Sequence, residues 1–201
     1  MLLIRRLLII VLSVVALLFP SVANAQNETE ALPSRNDFKF TLLSLGSGST
    51  RITYEHAFTP LNSAELTLGI VGLGWDWMND SDPHGLLAKL AYKWRLIPQR
   101  NADSWLAGMY VKPEFVICNF NYADPRYRGE LVKCAVQTFQ MALLAEVGYQ
   151  LVLEWFVFDI YGGLGPSIGS GNENNYYHSF MLFPTDGFLA FTAGFRIGIA
   201  F

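Results

Sequence analysis

The sequence predicts an all-β fold: an eight-stranded antiparallel up-and-down barrel that crosses a membrane. Three observations predict it. The chain begins with an export signal, apolar and polar residues alternate over eight long segments after that signal, and the connections between these segments are alternately short and long. The signal indicates the compartment, the alternation indicates a wall with two unlike faces, and the connections indicate the topology.

The first residues have the three-part layout of a secretory signal peptide. Arg5 and Arg6 precede an apolar run over 7–19, and the small residues that follow end at Ala25. A membrane-spanning helix needs roughly 20 apolar residues, so this run is too short for an anchor. We expect export, cleavage after Ala25 and a final location in a bacterial outer membrane. The predicted signal peptide, periplasmic leader and barrel domain cover 1–25, 26–36 and 37–201.

Composition narrows the class of protein further. Of the 201 residues, 52% are hydrophobic and only 15% are charged, yet no apolar run after the signal is long enough for a spanning helix. Such a chain either encloses a large core or faces lipid with alternate residues of its strands. The formal net charge is -3 and there is no basic tract, so nucleic acid is not expected as a partner.

Period-two alternation defines the predicted strands. In the last one, Phe195, Ile197 and Ile199 share a face opposite Arg196. Most of the segments have ten residues or more, a length that suits a membrane-crossing strand better than the usual globular strand of about 5 to 6 residues. The predicted strands cover 38–45, 50–58, 64–75, 86–97, 105–119, 138–151, 155–169 and 187–201.

Three positions interrupt the pattern. The glycine-rich stretch 69–74 blurs the alternation in the third strand and predicts a bulge there. Pro113 and Pro166 lie inside the fifth and seventh strands, where each removes one hydrogen bond of the ladder. We therefore expect local irregularities at these positions.

The lengths of the connections and the positions of the tryptophans support the barrel independently of the alternation. Connections after even-numbered strands are short, and three of the four after odd-numbered strands are longer, which places both ends of the barrel on the periplasmic side. The exception is the short turn 46–49. All five tryptophans fall at predicted membrane interfaces, where an amphipathic ring is favourable. The long connections are 76–85, 120–137 and 170–186, and the tryptophans are Trp75, Trp77, Trp94, Trp105 and Trp155.

The closing segment 195–201 alternates and ends on an aromatic residue. It resembles the C-terminal strand by which the barrel assembly machinery recognises outer-membrane β-barrel proteins. The chain as a whole resembles the OmpA/OmpX-type class of eight-stranded barrels. A looser similarity to an uncharacterised family of small outer-membrane barrels runs through Lys112-Pro113-Glu114 and Gly148-Tyr149-Gln150. The resemblance implies an architecture and insertion by that machinery, and it implies no particular activity.

Inward positions of the predicted strands collect charges of both signs. In a lumen just wide enough for side chains, we expect these groups to form ion pairs that fill it, and we expect no large conductance. A gated pore is the alternative interpretation. The predicted lumen network consists of Lys39, Arg51, Glu55, Glu65, Lys89, Lys93, Arg95, Lys112, Glu114, Glu146, Asp159 and Arg196.

Cys118 and Cys134 are the only cysteines, and they flank the third outer loop. Two such thiols in an oxidising envelope are expected to form a disulfide. Zinc is the rival, but two cysteines without a nearby pair of histidines make a poor zinc site. No motif predicts a metal or a cofactor.

The outer loops are the predicted place of function. They carry tyrosine and arginine, which anchor protein interfaces, so the leading hypothesis is contact with a surface protein, a glycan or lipopolysaccharide. The alternative is loops that pack on one another and on the barrel rim. The binding candidates are Tyr122, Arg126, Tyr127, Arg128, Tyr176, Tyr177, His178 and Phe180.

Two further functions and one other fold are also consistent with the sequence. The second functional hypothesis is an enzyme that modifies lipid A or phospholipid, and the third is a narrow channel. No catalytic residues are predicted, because none of the histidines His56, His84 and His178 is spaced as a base with its nucleophile. The rival fold is a soluble lipocalin-like barrel, in which the apolar face would point inward.

Overall fold

A computed structural model of the chain describes residues 33–76, 81–98, 104–123, 135–170 and 189–201. Its strands form one closed barrel in which each pairs antiparallel with its neighbours in sequence and β8 pairs with β1. The prediction of an eight-stranded antiparallel up-and-down barrel is confirmed. The strands are β1 Asn36–Thr41, β2 Ser47–Thr59, β3 Asn62–Asp76, β4 Ser81–Pro98, β5 Gly108–Ala123, β6 Ala135–Leu153, β7 Phe156–Ser170 and β8 Leu189–Ala200.

The first strand is shorter than predicted, because a single helical turn, α1 (Leu43–Gly46), follows it. The Ser44 hydroxyl donates to the Thr41 carbonyl oxygen at 2.7 Å, and the Ser47 hydroxyl donates to the Ser44 carbonyl oxygen at 3.0 Å. Hydroxyl groups that bond to nearby backbone in this way compete with a strand ladder. The predicted strand end at residue 45 is therefore wrong, and β1 ends at Thr41.

The middle strands are longer than predicted. β4 begins at Ser81, which pairs with Ala123 at the end of β5, and Ala123 pairs in turn with Ala135 at the start of β6. The predicted long connection over 76–85 is wrong, because half of it belongs to β4. Ladder hydrogen bonds join backbone groups, so polar residues that look like a loop in the sequence can continue a strand.

We call the end of the barrel where β1 begins and β8 finishes the inner end. The turn that precedes β5 covers this end. β5 begins at Gly108 instead of residue 105, because the preceding residues form a turn in which Leu106 N–H donates to Ser104 Oγ at 3.1 Å. Trp105 N–H donates to the Ser34 carbonyl oxygen at 3.1 Å, and the Arg35 guanidinium lies 3.8 Å from the centre of the Trp105 ring. Leu106 is fully buried.

The bulge predicted in the third strand is confirmed. The register between β2 and β3 shifts between Ser47 and Ser49, opposite the glycine-rich end of β3. Gly72 has φ of 92°, a conformation that side chains other than glycine rarely adopt. The carbonyl oxygen of Pro83 also lies where a Cβ of residue 72 would be.

The two prolines interrupt the ladder without shifting it. Beside Pro113, the β4–β5 register is the same at Ala91–Glu114 and at Trp94–Val111. Beside Pro166, the β6–β7 pairs likewise keep one register on either side of the gap. Both rings face outward. Each proline therefore removes backbone hydrogen bonds locally, and the barrel tolerates this without an extra residue.

Candidate functional site

The barrel interior brings together all of the charged side chains that the sequence places on inward positions. Each of them is at most 5% exposed. Because strands of opposite walls contribute to this set, the cluster exists only once the barrel is closed. These interior groups are Lys39, Arg51, Glu55, Glu65, Lys89, Lys93, Arg95, Lys112, Glu114, Glu146, Asp159 and Arg196.

Glu65 on β3 is the centre of this interior charge cluster. Its Oε1 lies 2.7 Å from Lys39 Nζ and 2.8 Å from Lys93 Nζ, while its Oε2 lies 2.5 Å from Lys112 Nζ and 3.1 Å from Arg196 Nη1. These cations come from β1, β4, β5 and β8. One carboxylate on β3 therefore joins four other strands, including the two that close the barrel.

Glu55 on β2 forms a second centre nearer the inner end. Its Oε2 lies 2.5 Å from Lys39 Nζ and 2.8 Å from Lys93 Nζ. Its Oε1 accepts hydrogen bonds from Arg95 and from the Ser63 hydroxyl. Lys39 and Lys93 thus join the two carboxylates into one network.

Toward the outer end, Glu114 continues the network. Its oxygens lie 2.5 Å from Lys89 Nζ and 2.9 Å from Lys112 Nζ, and Lys112 Nζ is also 3.1 Å from Glu146. Arg51 lies beside this group, where its Nε donates to Ser49 Oγ at 3.1 Å. The Glu114 and Glu146 carboxylates thus lie against ammonium groups, which offsets the cost of burying charge in a medium of low dielectric constant. Neither oxygen of Glu146 accepts a hydrogen bond from a described residue.

One charged residue of the network is not predicted from the sequence. Asp37 is fully buried, its Oδ2 lies 3.3 Å from Lys39 Nζ, and it accepts a hydrogen bond from Gln150 Nε2 at 2.7 Å. The predicted first strand begins at residue 38, so Asp37 lies outside it, directly after the predicted leader. The signal that could have found it is its spacing, because a residue two before Lys39 lies on the same face.

Tyrosine rings complete the interior. The Tyr110 hydroxyl donates to Asp159 at 2.6 Å, and Lys93 Nζ lies 4.0 Å from the centre of the Tyr110 ring. The Arg196 guanidinium lies 4.1 Å from the centre of the Tyr161 ring. These rings fill space between the charged groups and stabilise cations through their faces.

Apolar side chains cover the charge cluster at both ends of the lumen. Both layers are almost completely buried, which is the packing of a filled lumen. At the inner end the layer consists of Ala57, Leu106, Ala107, Val152, Val157 and Ala200. At the outer end it consists of Val71, Leu87, Val116, Cys118, Phe120, Ala142, Leu144 and Ala190.

The loop candidates lie almost entirely outside the described residues. Only Tyr122 belongs to a described element, since its backbone is part of β5. The residues outside the described ranges are Arg126, Tyr127, Arg128, Tyr176, Tyr177, His178 and Phe180. Their role in binding stays a prediction.

Cys118 is a buried residue that faces the interior and has no disulfide partner among the described residues, and Cys134 lies outside them. Cys118 is five residues short of Ala123, which pairs with Ala135. At about 3.3 Å per residue, the level of that pair is roughly 17 Å away. A disulfide needs Cα atoms within about 7 Å, so a bridge would require the end of the β5–β6 pairing to open. The disulfide stays a prediction.

Among the described residues, no group of histidine, cysteine and carboxylate side chains could hold a metal ion. His56 faces outward on β2, where its Nδ1 is 2.7 Å from Asn36 Oδ1. His84 lies on the exposed face of β4. Neither histidine belongs to the interior charge cluster.

Comparisons with known proteins are sparse. No known protein family matches the chain, and no curated protein matches it. Among solved structures, the chain is similar to the N-terminal β-barrel domain of Pseudomonas aeruginosa OprF, with a TM-score of 0.46 and 12% sequence identity. The similarity covers 84% of this chain and 98% of that one.

Replacing Glu65 with Gln is expected to destabilise the barrel strongly. The substitution removes the negative charge between four buried cations, and breaking a buried ion pair from one side costs about 3 kcal/mol or more. The measurement is urea-induced unfolding in detergent micelles, followed by tryptophan fluorescence. The matched control is Glu154→Gln in the exposed β6–β7 turn, for which a change within about 0.5 kcal/mol is expected. Equal stability of the two variants would contradict the central role of Glu65.

The predicted disulfide is tested by counting free thiols in the unfolded chain. Membranes are dissolved in denaturant with a maleimide-linked polymer, with or without prior reduction. A Cys118–Cys134 bridge predicts no added polymer without reductant and two additions after reduction. Two additions without reductant would show that the bridge is absent.

Proposed function

We propose that the chain is a small barrel of a bacterial outer membrane with a structural or surface-interaction role, anchored in lipid by its wall and acting through its outer loops. The observation that carries the proposal is the apolar character of the outer wall, combined with the burial of the charges in the lumen. Water would favour the opposite arrangement.

Large apolar side chains are exposed on the outer face of β2–β8, and Phe38 and Phe40 are partly exposed on the outer face of β1. Soluble monomers rarely expose continuous apolar patches larger than a few hundred Å². On β3 and β4, Leu68 is 59% exposed and Leu86 is 68% exposed, while inward Glu65 and Lys89 are buried. Other exposed members of this wall are Ile52, Leu66, Ile70, Leu90, Leu96, Phe115, Ile117, Phe139, Leu143, Val147, Phe158, Ile160, Leu164, Ile168, Leu189 and Phe191.

The height of this apolar belt fits a bilayer. From Leu86 to Leu96 the outward face of β4 is apolar or aromatic, a path of ten residues or roughly 33 Å along the strand. With the usual tilt of about 40°, the path rises about 25 Å, the height of the apolar band on membrane barrels. At the outer end, exposed Asn119 pairs with Leu86 at the edge of the belt, and exposed Gln137 pairs with Asn121 beyond that edge. Tyr54, Tyr92, Trp94 and Tyr149 lie toward the inner end, like an interfacial girdle.

The filled lumen separates this proposal from a narrow channel. The charge cluster and the apolar layers fill the lumen with buried side chains, which favours an anchor over a channel. Among the described residues there is no helix long and apolar enough to cross a membrane. In the sequence of the outer loops, tyrosine and arginine favour contact with a surface protein, a glycan or lipopolysaccharide.

Placement in lipid predicts a depth-dependent cost for a charge on the outer wall. Leu68→Arg introduces the charge in the middle of the belt and is expected to reduce the unfolding free energy in phospholipid vesicles by about 2–4 kcal/mol. The control Leu153→Arg, at the exposed end of β6, is expected to cost at most about 1 kcal/mol. In a soluble barrel both substitutions would be nearly neutral, so equal small effects would contradict the placement.

The proposed role of the loops predicts that partner binding is lost without loss of the barrel. Exchange of residues 176–183 for a Gly/Ser linker of equal length is expected to abolish recovery of a crosslinked partner or lipopolysaccharide from intact cells. The barrel itself is expected to remain, as shown by the shift of unheated samples on gels. Undiminished recovery with the linker, together with a folded barrel, would contradict a binding role for this loop.

A further inference from the structure

We propose that the outer wall carries a binding recess for the head group of a phospholipid with a primary ammonium, such as an ethanolamine phospholipid. The recess is floored by Ala64 and lies between His56 and Tyr92 at the inner edge of the apolar belt. The inference rests on the proposed placement in a membrane and adds to it a specific lipid class.

The register brings the residues of the recess into one row across four strands. Asn36 on β1 pairs with His56 on β2, His56 pairs with Ala64 on β3, and Ala64 pairs with Tyr92 on β4. Paired residues share a face of the sheet. Along this row the side chains are polar at Asn36 and His56, small at Ala64 and aromatic at Tyr92, on a wall that is otherwise apolar.

The imidazole of His56 is held in one orientation and one tautomer. Asn36 Oδ1 accepts a hydrogen bond from the Tyr54 hydroxyl at 2.9 Å and lies 2.7 Å from His56 Nδ1. An oxygen at that distance requires Nδ1 to carry the proton, so Nε2 of the neutral ring is an acceptor. The Phe58 ring packs edge-on against the imidazole, with centroids 5.1 Å apart. A polar group fixed in this way on a lipid-facing wall indicates a function.

Ala64 leaves room beside this acceptor. Its neighbours on the outer face are larger: Leu66 is 46% exposed and Tyr92 is 39% exposed. The Tyr92 ring is braced by Trp94, with ring centroids 5.0 Å apart and an interplanar angle of 66°. The small side chain between His56 and this aromatic pair creates a depression one residue wide.

The charges of the wall decide which head group fits. Among the side chains described on β1–β4, every Lys and Arg faces the interior, and exposed Arg35, which precedes Asn36, stacks on the Trp105 ring. These cations are therefore not placed to bind an anionic head group in the recess. It has the acceptor His56 Nε2 and the ring of Tyr92. A primary ammonium can donate a hydrogen bond to that nitrogen and interact with the ring face. A quaternary ammonium has no N–H to donate, so the recess discriminates against choline lipids.

The test is competitive binding of phospholipids to the full mature chain. Protein in detergent micelles receives equal amounts of ethanolamine, choline and glycerol phospholipids with the same acyl chains, and native mass spectrometry counts the bound lipids. One hydrogen bond to a charged donor gives a preference of at least about fivefold for the ethanolamine lipid. The preference is expected to be lost in Ala64→Leu, which fills the recess, and in His56→Phe, which removes the acceptor.

The matched control is Ala88→Leu, the same change at an outward position in the middle of the belt on β4, which is expected to keep the preference. Equal binding of the three lipids would mean non-specific annular lipid, and equal preference in Ala64→Leu and Ala88→Leu would mean that the preference arises outside the recess. Either result would overturn the inference while leaving the membrane placement intact. Should Ala64→Leu fail to fold, as judged by the gel shift of unheated samples, His56→Phe alone decides. Failure of the native chain to fold in micelles would overturn both proposals.

Discussion

Neutralisation of buried charge is the constraint on which this structure depends. Glu65 can be inside a wall of low dielectric constant only because four cations surround it, and those cations come from β1, β4, β5 and β8. The network forms when the last strand closes on the first. Closure of the wall and neutralisation of the interior are therefore one event, which also sends the apolar half of each strand outward.

Because charged side chains fill the inner face, the leucine and phenylalanine side chains of the strands lie on the outer face. The need to keep the charges on the inner face explains where the irregularities of the strand ladder lie. Pro113 and Pro166 face outward and interrupt hydrogen bonds without changing the register. The bulge at Gly72 and the helical turn α1 lie near the outer end, beyond the level of Glu65. Register shifts thus lie toward the two ends of the barrel, and Pro113 interrupts the ladder between Lys112 and Glu114 without a shift, so no one-residue slip turns these charges outward.

The sequence was sufficient for the fold class, the number of strands and the face on which each interior charge lies, because alternation of period two carries that information locally. It was insufficient for strand ends. Ser44 ends β1 through a hydroxyl contact that no apolar pattern reveals, and Asp37 was missed because the predicted strand begins two residues after β1 does. The sequence also did not predict which side chains contact one another across the lumen. Lys112 and Glu65 lie on β5 and β3, and their contact depends on the stagger of the closed barrel.

A depth profile along the outward residues of β4 tests the central claim most directly. Nitroxide labels placed one at a time at 84, 86, 88, 90, 92, 94 and 96, in protein reconstituted in phospholipid vesicles, report their exposure to molecular oxygen and to a water-soluble nickel complex. The account predicts that the ratio of oxygen to nickel exposure rises to a maximum near Leu90 and falls toward both ends. A flat profile with high nickel exposure at Leu90 would show that this wall faces water, and it would contradict the account.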